Sequence, residues 1–507
     1  MEDLEASRGR KRKSEDTSRT MSESFEAYSD IGVLPLEMLE KVFSHLAPKD
    51  LKTVTLVSKT WHNVAERPAL WFWVKIRFLS QLSLKRLQGA KELVLQKPRG
   101  AWHELLLAVL RHPGIKKITL NHLQVRDLTT SEEVLFNQIC SKMEEIDFAM
   151  DFSLPFESTR AYVLNAVLQR TDTLKKLALH GSHSRPTRFQ DPVPLAFSLN
   201  KIEVLEVALT EEQANILFKM MQDGTRIKSL SIFNTLQLSR LEPRHLIGAL
   251  DKLEMLFLGE KREGVAPPTQ EVMNTFCKAV AAGTNLKELR LGYGYDLSQA
   301  HHRSLGRMAT QLVELYLEGS LVNDFMRNQI GIFLEAIASP EVKTLKKLGL
   351  YHIDVKSTDG NLLARVATEL DTFHIMCDVD RDQVNAIIEA IAAGPGNLKD
   401  FMLHASSKSS SVPISLSNVD ADVLACAANS LEYFNLDTHA FSISIVQMHK
   451  TLTRALKATS LKGLTFFCRR PVVSKLLADA VTEARKIIPY IGTFCTEYES
   501  DSDSDSD

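Results

Sequence analysis

The sequence lacks the features that would place it in a membrane or in the secretory pathway. No apolar run approaches the roughly 18–20 residues that span a bilayer, and the start MEDLEASRGRKRK is charged where a signal peptide needs an apolar core. The six cysteines are scattered, without a C-x-x-C pair or a short Cys/His cluster. We therefore expect a nuclear or cytoplasmic protein with no metal site, no disulfide framework and no membrane partner.

An excess of one charge is also missing, because 61 Lys and Arg residues nearly balance 63 Asp and Glu. A surface that follows a phosphate backbone is strongly basic, so nucleic acid is disfavoured as a partner. The catalytic patterns G-x-x-x-x-G-K-[ST], H-E-x-x-H and G-x-S-x-G do not occur. A GYG stretch at 292–294 has Leu297 where a dinucleotide loop needs its last glycine, so we interpret it as a turn. We predict no catalytic residue and no cofactor.

The two ends differ in composition from the middle. Residues 1–30 are rich in Ser, Glu, Arg and Lys, so they are expected to form a disordered tail. Residues 496–507, which end in alternating Ser and Asp, are predicted to form a second, acidic tail. Within the first tail, RGRKRK is typical of a nuclear localisation signal and equally of a solvated tail. The residues of this candidate signal are Arg10, Lys11, Arg12 and Lys13.

What the sequence does contain is a repeat. The pattern L-x-x-L-x-L recurs about every 28 residues between Ala90 and Leu461, for example in NLKELRL, TLKKLGL and NLKDFML, each after a helix end and a turn. One such strand cannot bury its apolar side alone, so successive units must stack into a solenoid. The pattern resembles the long, helix-containing leucine-rich repeat. This resemblance implies an α/β horseshoe over residues 77–495, with a parallel sheet on the concave face and helices on the convex face.

A different unit precedes the repeats. In LPLEMLEKVFSHL, at 34–46, Leu39, Val42, Phe43 and Leu46 recur at helical spacing, and PKDLKTVTLVSKTWHNV predicts a second helix. Fewer than about 50 residues seldom bury a self-sufficient core. We therefore expect part of this apolar surface to pack against a partner.

Taken together, residues 34–71 resemble an F-box, with a Leu-Pro start, a helix ending in SHL, P-x-D-L, VSKTW and a closing Leu-Trp in order. The resemblance implies a three-helix F-box over residues 31–76 that binds a Skp-type adaptor and through it a cullin–RING scaffold. The repeats would then hold a protein substrate for ubiquitination, which makes the chain a non-catalytic subunit of a ubiquitin ligase complex. The resemblance assigns adaptor binding to Leu34, Pro35, Leu36, Leu39, Val42, Phe43, Leu46, Leu51, Val54 and Val57. Trp61 and Trp71 are expected to tie the F-box to itself and to the first repeat.

Strand alternation predicts where a substrate would bind. In L-x-x-L-x-L the leucines point into the core, and the third and fifth residues face the concave surface. Aromatic and arginine side chains on such a face suit a protein interface, although each also fits a position that is only solvated. The candidate substrate-binding residues, on this face or just after its strands, are Phe257, Arg290, Tyr316, Tyr351, His374 and Tyr433.

Two other functions fit parts of the sequence. One is a non-catalytic nuclear interaction scaffold built on leucine-rich repeats, which adaptor binding would distinguish from a ligase subunit. The other is a GTPase-activating protein of the Ran type, because that class also combines helix-containing repeats with an acidic tail. Proteins of that class lack an F-box, so the F-box resemblance favours the ligase subunit.

Overall fold

The computed structural model divides into two compact units, and each is described by itself. The first comprises Met1–Leu123 and Leu128–Met143, and the second comprises Gln124–Asp127 and Glu144–Asp507. The structure describes residues 34–46, 48–71, 73–78, 89–99, 102–121, 129–149, 173–180, 201–234, 236–260, 269–292, 295, 300–319, 326–339, 342, 344–355, 357–394, 397–404, 414–415, 421–437, 441–442, 449, 451, 453, 461–468, 482, 486, 488 and 490–495.

The first unit begins with three short helices and a 3-10 turn: α1 (Leu36–Phe43), α2 (Pro48–Val54), α3 (Lys59–Ala65) and Pro68–Leu70. The side chain of Ser58 caps α3 by accepting a hydrogen bond from the backbone N–H of Trp61 at 3.1 Å. Arg67 forms an ion pair with Glu40, which joins the segment after α3 to α1. These local contacts help to hold the three helices together, because the segment is too short to form a large core.

After these helices, the described residues of the first unit form β1 (Trp73–Phe78), β2 (Glu92–Arg99), α4 (Trp102–Leu110), β3 (Lys117–Asn121) and α5 (Thr130–Cys140). Strand β2 pairs in parallel with both β1 and β3, so strand order follows chain order. The repeat pattern predicted β2 and β3. Strand β1 straddles residue 76, the predicted end of the N-terminal domain, because Trp73 already pairs with Glu92.

The described residues of the second unit form further strands and helices. Its strands are β4 (Glu145–Ala149), β5 (Lys176–His180), β6 (Val204–Val207), β7 (Ser229–Asn234), β8 (Met255–Glu260), β9 (Glu288–Leu291), β10 (Glu314–Glu318), β11 (Lys347–Asp354), β12 (Thr372–Asp378), β13 (Asp400–His404), β14 (Ile414–Ser415), β15 (Tyr433–Asp437), β16 (Phe441–Ser442), β17 (Gly463–Cys468) and β18 (Tyr490–Cys495). Its helices are α6 (Glu211–Asp223), α7 (Pro243–Leu250), α8 (Gln270–Ala282), α9 (His302–Gln311), α10 (Met326–Ile337), α11 (Gly360–Glu369), α12 (Arg381–Ala393) and α13 (Ala421–Ser430), with a 3-10 turn at Leu238–Arg240.

All of these strands except β14 and β16 join one parallel sheet in chain order, and those two pair with each other. The pattern leucines lie in register, so that Leu315 of β10 is flanked by Leu289 and Leu348 on the neighbouring strands. All three are buried, whereas the residues between them are more exposed. The predicted leucine-rich-repeat solenoid is therefore confirmed. Strand β18 was not predicted, because YIGTFC does not carry the leucine pattern.

Several helices of the repeats begin at a residue whose side chain caps the N-terminus of the helix. A capping box, in which the first residue and the side chain three positions later satisfy each other's backbone N–H groups, starts α5, α6 and α12. Consecutive helices pack against each other, as α6 does with α7 and α11 with α12. One side of the sheet is thus buried. We call the other side, formed by the third and fifth residues of each pattern, the open face.

Two ladders run across the strands of the second unit. In the core, the rings of Phe373, Phe401 and Phe434 lie on successive strands, with centroids 6.4 and 6.1 Å apart. Along the sheet edge, the residues just before the strands alternate in charge: Glu144, Lys175, Glu203, Lys228, Glu254 and Lys287 precede β4 to β9. The Lys175 ammonium lies 2.8 Å from the Glu144 carboxylate. Both ladders favour the observed register of the strands. A shift of one strand would separate the phenylalanine rings in the core or bring like charges together along the edge.

Candidate functional site

The three N-terminal helices share one small core. Its buried members are Leu39, Phe43, Leu51, Val64, Ala65 and Trp71, and Leu46, Val54, Trp61 and Leu70 pack against them. The rings of Phe43 and Trp61 meet edge to face with centroids 5.3 Å apart. The Trp71 indole N–H donates a 2.7 Å hydrogen bond to the Ala65 carbonyl oxygen, so its polar atom is satisfied in the core.

The same helices leave large apolar side chains exposed. Leu56 is 84% exposed, Val57 59%, and Met38 and Val42 are 49% exposed each. Isolated apolar side chains on a surface are ordinary, but several on so short a segment indicate an interaction surface. We call these residues the N-terminal apolar set: Leu34, Leu36, Met38, Val42, Leu56 and Val57.

The open face of the second unit carries a different kind of cluster, centred on two tyrosines. The rings of Tyr316 and Tyr351 stack with centroids 6.4 Å apart and an interplanar angle of 21°. The Arg290 guanidinium lies over the Tyr316 ring, 4.6 Å from its centroid, and also pairs with Glu288. Burial and the Glu314 carboxylate raise the pKa of Tyr316, which keeps its hydroxyl protonated.

A chain of polar contacts extends the cluster to β13. The Tyr351 hydroxyl lies 3.4 Å from His374 Nδ1, and His374 Nε2 lies 3.3 Å from an Asp400 carboxylate oxygen. On the other side, the Tyr316 hydroxyl donates to Glu314 at 3.3 Å. Residues from five successive strands, β9 to β13, therefore contact one another through side chains.

The backbone is shaped to hold the two tyrosines. Gly349 lies beneath them, and a Cβ there would meet Tyr316 Cδ1 at 2.5 Å and Tyr351 Cε2 at 2.7 Å. The pairing of β11 with β12 shifts between Tyr351 and Asp354, and His352 has a φ of 56°. Bulges re-aim side chains, and left-handed residues other than glycine cluster at functional sites. These features mark the tyrosine pair as the candidate site of the solenoid.

The comparisons with known proteins identify the N-terminal helices. Residues 31–77 match the family model described as F-box-like. This segment is an F-box-like domain. No curated protein sequence matches the chain.

Among solved structures, the leucine-rich repeat-containing protein LegL7 from Legionella pneumophila aligns over 62% of this chain and 96% of its own, with 14% identity and a TM-score of 0.36. The complex of Rad7 and Elc1 in yeast aligns over 78% of this chain and 94% of the matched chain, with 13% identity and a TM-score of 0.34.

The ten candidate adaptor residues divide by position in the F-box-like domain. Leu34, Pro35, Leu36, Val42 and Val57 are exposed. Leu39, Phe43 and Leu51 are buried, and Leu46 and Val54 pack against the same core, so these five hold the domain together. Sequence reasoning missed Met38 and Leu56, which are also exposed. Met38 precedes Val42 by one helical turn on the exposed side, which is a signal that helical spacing could have provided.

The six candidate substrate residues all belong to the second unit. Arg290, Tyr316, Tyr351 and His374 join the cluster described above. Phe257 pairs with Arg290 across β8 and β9, and its ring meets that of Phe233 edge to face at 5.7 Å. Tyr433 lies on β15, opposite Asp400, and is 40% exposed. Glu288, Glu314 and Asp400 occupy the third position of their patterns, so strand alternation places them on the open face but assigns them no role.

The remaining sequence interpretations concern the basic cluster, the two tails, the GYG stretch, metal binding and membrane spans. The basic cluster at residues 8–13 and both predicted tails, 1–30 and 496–507, lie outside the described residues. In the GYG stretch, Gly292 packs so closely on Gly259 that a Cβ would lie 2.9 Å from a backbone atom. Within the described part of the chain, no group of three metal-ligating side chains occurs, and no helix is long and apolar enough to cross a membrane.

Proposed function

We propose that this chain is a substrate-recognition subunit of a Skp–cullin–F-box ubiquitin ligase. The F-box-like domain binds a Skp-type adaptor, and the adaptor joins the chain to a cullin–RING scaffold. The open face of the solenoid holds the protein substrate, and the chain itself performs no chemistry. The observation that carries the proposal is the N-terminal apolar set, because it stays exposed although the domain has a core of its own.

The division of the F-box-like domain into core and exposed residues restricts the proposed adaptor interface. Leu39, Phe43 and Leu51 are at most 1% exposed, so they act through the shape of the domain and not by direct contact. The direct contacts are assigned to the N-terminal apolar set and Pro35. Apolar side chains presented by short helices are a common mode of recognition between proteins.

The test is capture of a Skp-type adaptor by the purified chain. Changing Leu36 and Val57 together to Glu places two charges in the proposed interface without touching the core. We expect the dissociation constant to rise about 100-fold, because central apolar anchors are often worth about 1–2 kcal/mol each. Ile247→Glu, which charges a similarly exposed apolar residue on α7 of the solenoid, is the matched control and should leave adaptor capture unchanged.

Adaptor capture that survives the double substitution would contradict the assigned interface. If the unmodified chain captures no adaptor at all, the nuclear interaction scaffold becomes the better description.

We further propose that the basic cluster RGRKRK directs the chain at least partly to the nucleus. A fluorescent fusion in which Lys11, Arg12 and Lys13 are changed to Ala should then shift toward the cytoplasm.

A further inference from the structure

Two cysteines occupy paired positions on the last two strands of the sheet. Strands β17 and β18 pair in parallel, residue by residue, from Gly463 opposite Tyr490 to Cys468 opposite Cys495. The two cysteines are far apart in the sequence and belong to no short motif. Only the register of the strands therefore brings them to the same place.

The spacing of a parallel sheet suits a disulfide bond at these positions. Neighbouring strands lie about 4.8 Å apart, and the Cα atoms of disulfide-bonded cysteines are usually about 4.4–6.8 Å apart. Paired residues also belong to the same side of the sheet, because alternation runs in step along both strands. Among the described strands only β12, β17 and β18 contain a cysteine, and β12 is next to neither of the others.

The remaining cysteines have different surroundings. Cys140 and Cys277 are buried on helices, and this burial raises the pKa of both thiols, so they stay protonated and are poor nucleophiles. The Cys377 thiol is buried and donates a hydrogen bond to the Leu350 carbonyl oxygen at 3.1 Å. Cys426 is exposed on α13. Each of these four is a single thiol, whereas Cys468 and Cys495 stand opposite each other.

We infer that Cys468 and Cys495 are a reversible redox pair that joins β18 to β17 when it is oxidised. The oxidant is glutathione disulfide. One cysteine thiolate attacks its S–S bond and releases one glutathione, and the other cysteine attacks the protein sulfur of this mixed disulfide and releases the second. The two cysteines give up two electrons and two protons in total, which convert glutathione disulfide into two glutathione thiols.

The same geometry favours a reversible bond over a permanent one. The Cβ atoms of a relaxed disulfide are about 3.5–4.5 Å apart, which is less than the spacing of two strands. The strands must approach each other to close the bond, and strained disulfides are more easily reduced. In a compartment that glutathione keeps reducing, the pair is therefore expected to be open and to close only as oxidant accumulates.

Closure acts on the least supported strand of the solenoid. Strand β18 is the last strand of the described sheet and pairs there with β17 alone. Each repeat is supported by its neighbours, so a strand with one neighbour opens most easily. A bond to β17 removes the open states in which the two strands are far apart. We therefore expect hydrogen exchange of the β18 amides to slow by about tenfold.

The test uses the purified full-length chain, equilibrated in glutathione buffers of increasing glutathione disulfide content. Remaining thiols are blocked with N-ethylmaleimide, and peptide mass spectrometry identifies the cross-linked residues. We expect a cross-link between Cys468 and Cys495 that dithiothreitol reverses, while Cys426 carries glutathione only. Hydrogen exchange of the β18 peptide, measured before and after reduction, reports whether the strand is held.

Two variants locate the effect. Cys468→Ser should abolish the cross-link and make exchange in β18 independent of the glutathione buffer. Cys426→Ser makes the same substitution on α13 and should preserve both the cross-link and the slower exchange. Thermal melting under reducing conditions confirms that each variant is folded. The cross-link in the unmodified chain remains decisive if Cys468→Ser does not fold.

Absence of the cross-link in the most oxidising buffer would overturn the inference, and glutathione on Cys426 in the same sample shows that the oxidant has acted. A cross-link between any other two cysteines would overturn it as well. So would a Cys468–Cys495 cross-link that leaves exchange in β18 unchanged. None of these outcomes bears on adaptor capture by the F-box-like domain, so the redox pair and the proposed function can fail independently.

Discussion

The F-box-like domain and the open face of the solenoid expose opposite kinds of surface. In the domain, exposed side chains such as Leu56 and Met38 are aliphatic and have no polar group to satisfy. On the open face, half-buried aromatic residues are held by neighbours, as Tyr316 is by Arg290 and Glu314. The first surface gains free energy only when a partner covers it, whereas the second is already ordered and can remain in water.

The two surfaces differ in the physical basis on which they can select a partner. Apolar burial is not directional, so the F-box-like domain depends on the shape and rigidity of its small core. A network of hydrogen bonds and charges is directional, so the tyrosine cluster can discriminate between ligands of different charge. Under the proposed function, the first surface would bind a constant adaptor and the second a specific substrate.

The largest expected effects come from removing a core aromatic ring from either region. Phe43→Ala and Phe401→Ala each delete a fully buried ring and should lower the free energy of unfolding by about 3–5 kcal/mol. Phe43→Ala should abolish adaptor capture, because the core it leaves is too small to hold the helices. Phe401→Ala should spare adaptor capture and loosen the repeats around β13, because each repeat is supported by its neighbours.

Hydrogen exchange resolved by region measures both outcomes, and Val42→Ala is the control. Val42 is exposed, so its loss should change stability by less than about 0.5 kcal/mol. If Phe401→Ala opens the F-box-like domain to exchange as strongly as the repeats, the two regions are not separable and the comparison fails.

A smaller effect is expected when the support beneath the tyrosines is changed. Gly349→Ala would place its methyl group within 2.7 Å of both rings, so they must move apart at a cost of about 1 kcal/mol. The near-ultraviolet circular dichroism of the tyrosines should therefore change. Gly306→Ala on α9 meets only Ala336 Cβ at 3.4 Å and is the matched control. An unchanged tyrosine spectrum in Gly349→Ala would show that the stack is not as described.

The smallest effect is expected along the charged edge. The Lys462 ammonium lies 2.6 Å from the Glu432 carboxylate, and this hydrogen bond raises the pKa of Lys462. The stabilisation is therefore complete below the ordinary lysine pKa and is lost as pH rises through the raised value. Lys462→Met should lower the melting temperature less than Gly349→Ala does, and the difference should shrink in high salt. A difference that persists at about 0.5 M salt would mean that Lys462 acts through packing of its aliphatic chain.

Much of the solenoid could be predicted because its signal is local. A strand with leucines at fixed positions has one apolar side wherever it occurs, so L-x-x-L-x-L predicted both strands and facing. The method failed at β18, where Ile491 and Thr493 stand at the leucine positions, opposite Leu464 and Phe466, and only pairing with β17 defines the strand. It also grouped Val42 with Leu39 and Phe43, although the structure buries only the latter two. Helical spacing shows which residues share a side, but the width of the buried stripe depends on what packs against it.

The sequence by itself determined the repeat, the inward leucines and the F-box-like segment, because each follows from side chains close together in the chain. Only the tertiary structure decided which apolar residues of the F-box-like domain remain exposed, since that depends on how α1 meets α3. It also decided that Arg290, Tyr316, Tyr351, His374 and Asp400 form one cluster. These residues are far apart in sequence, and parallel stacking in register brings them onto adjacent strands. The register shift between Tyr351 and Asp354, which no local pattern indicates, lies directly after this cluster.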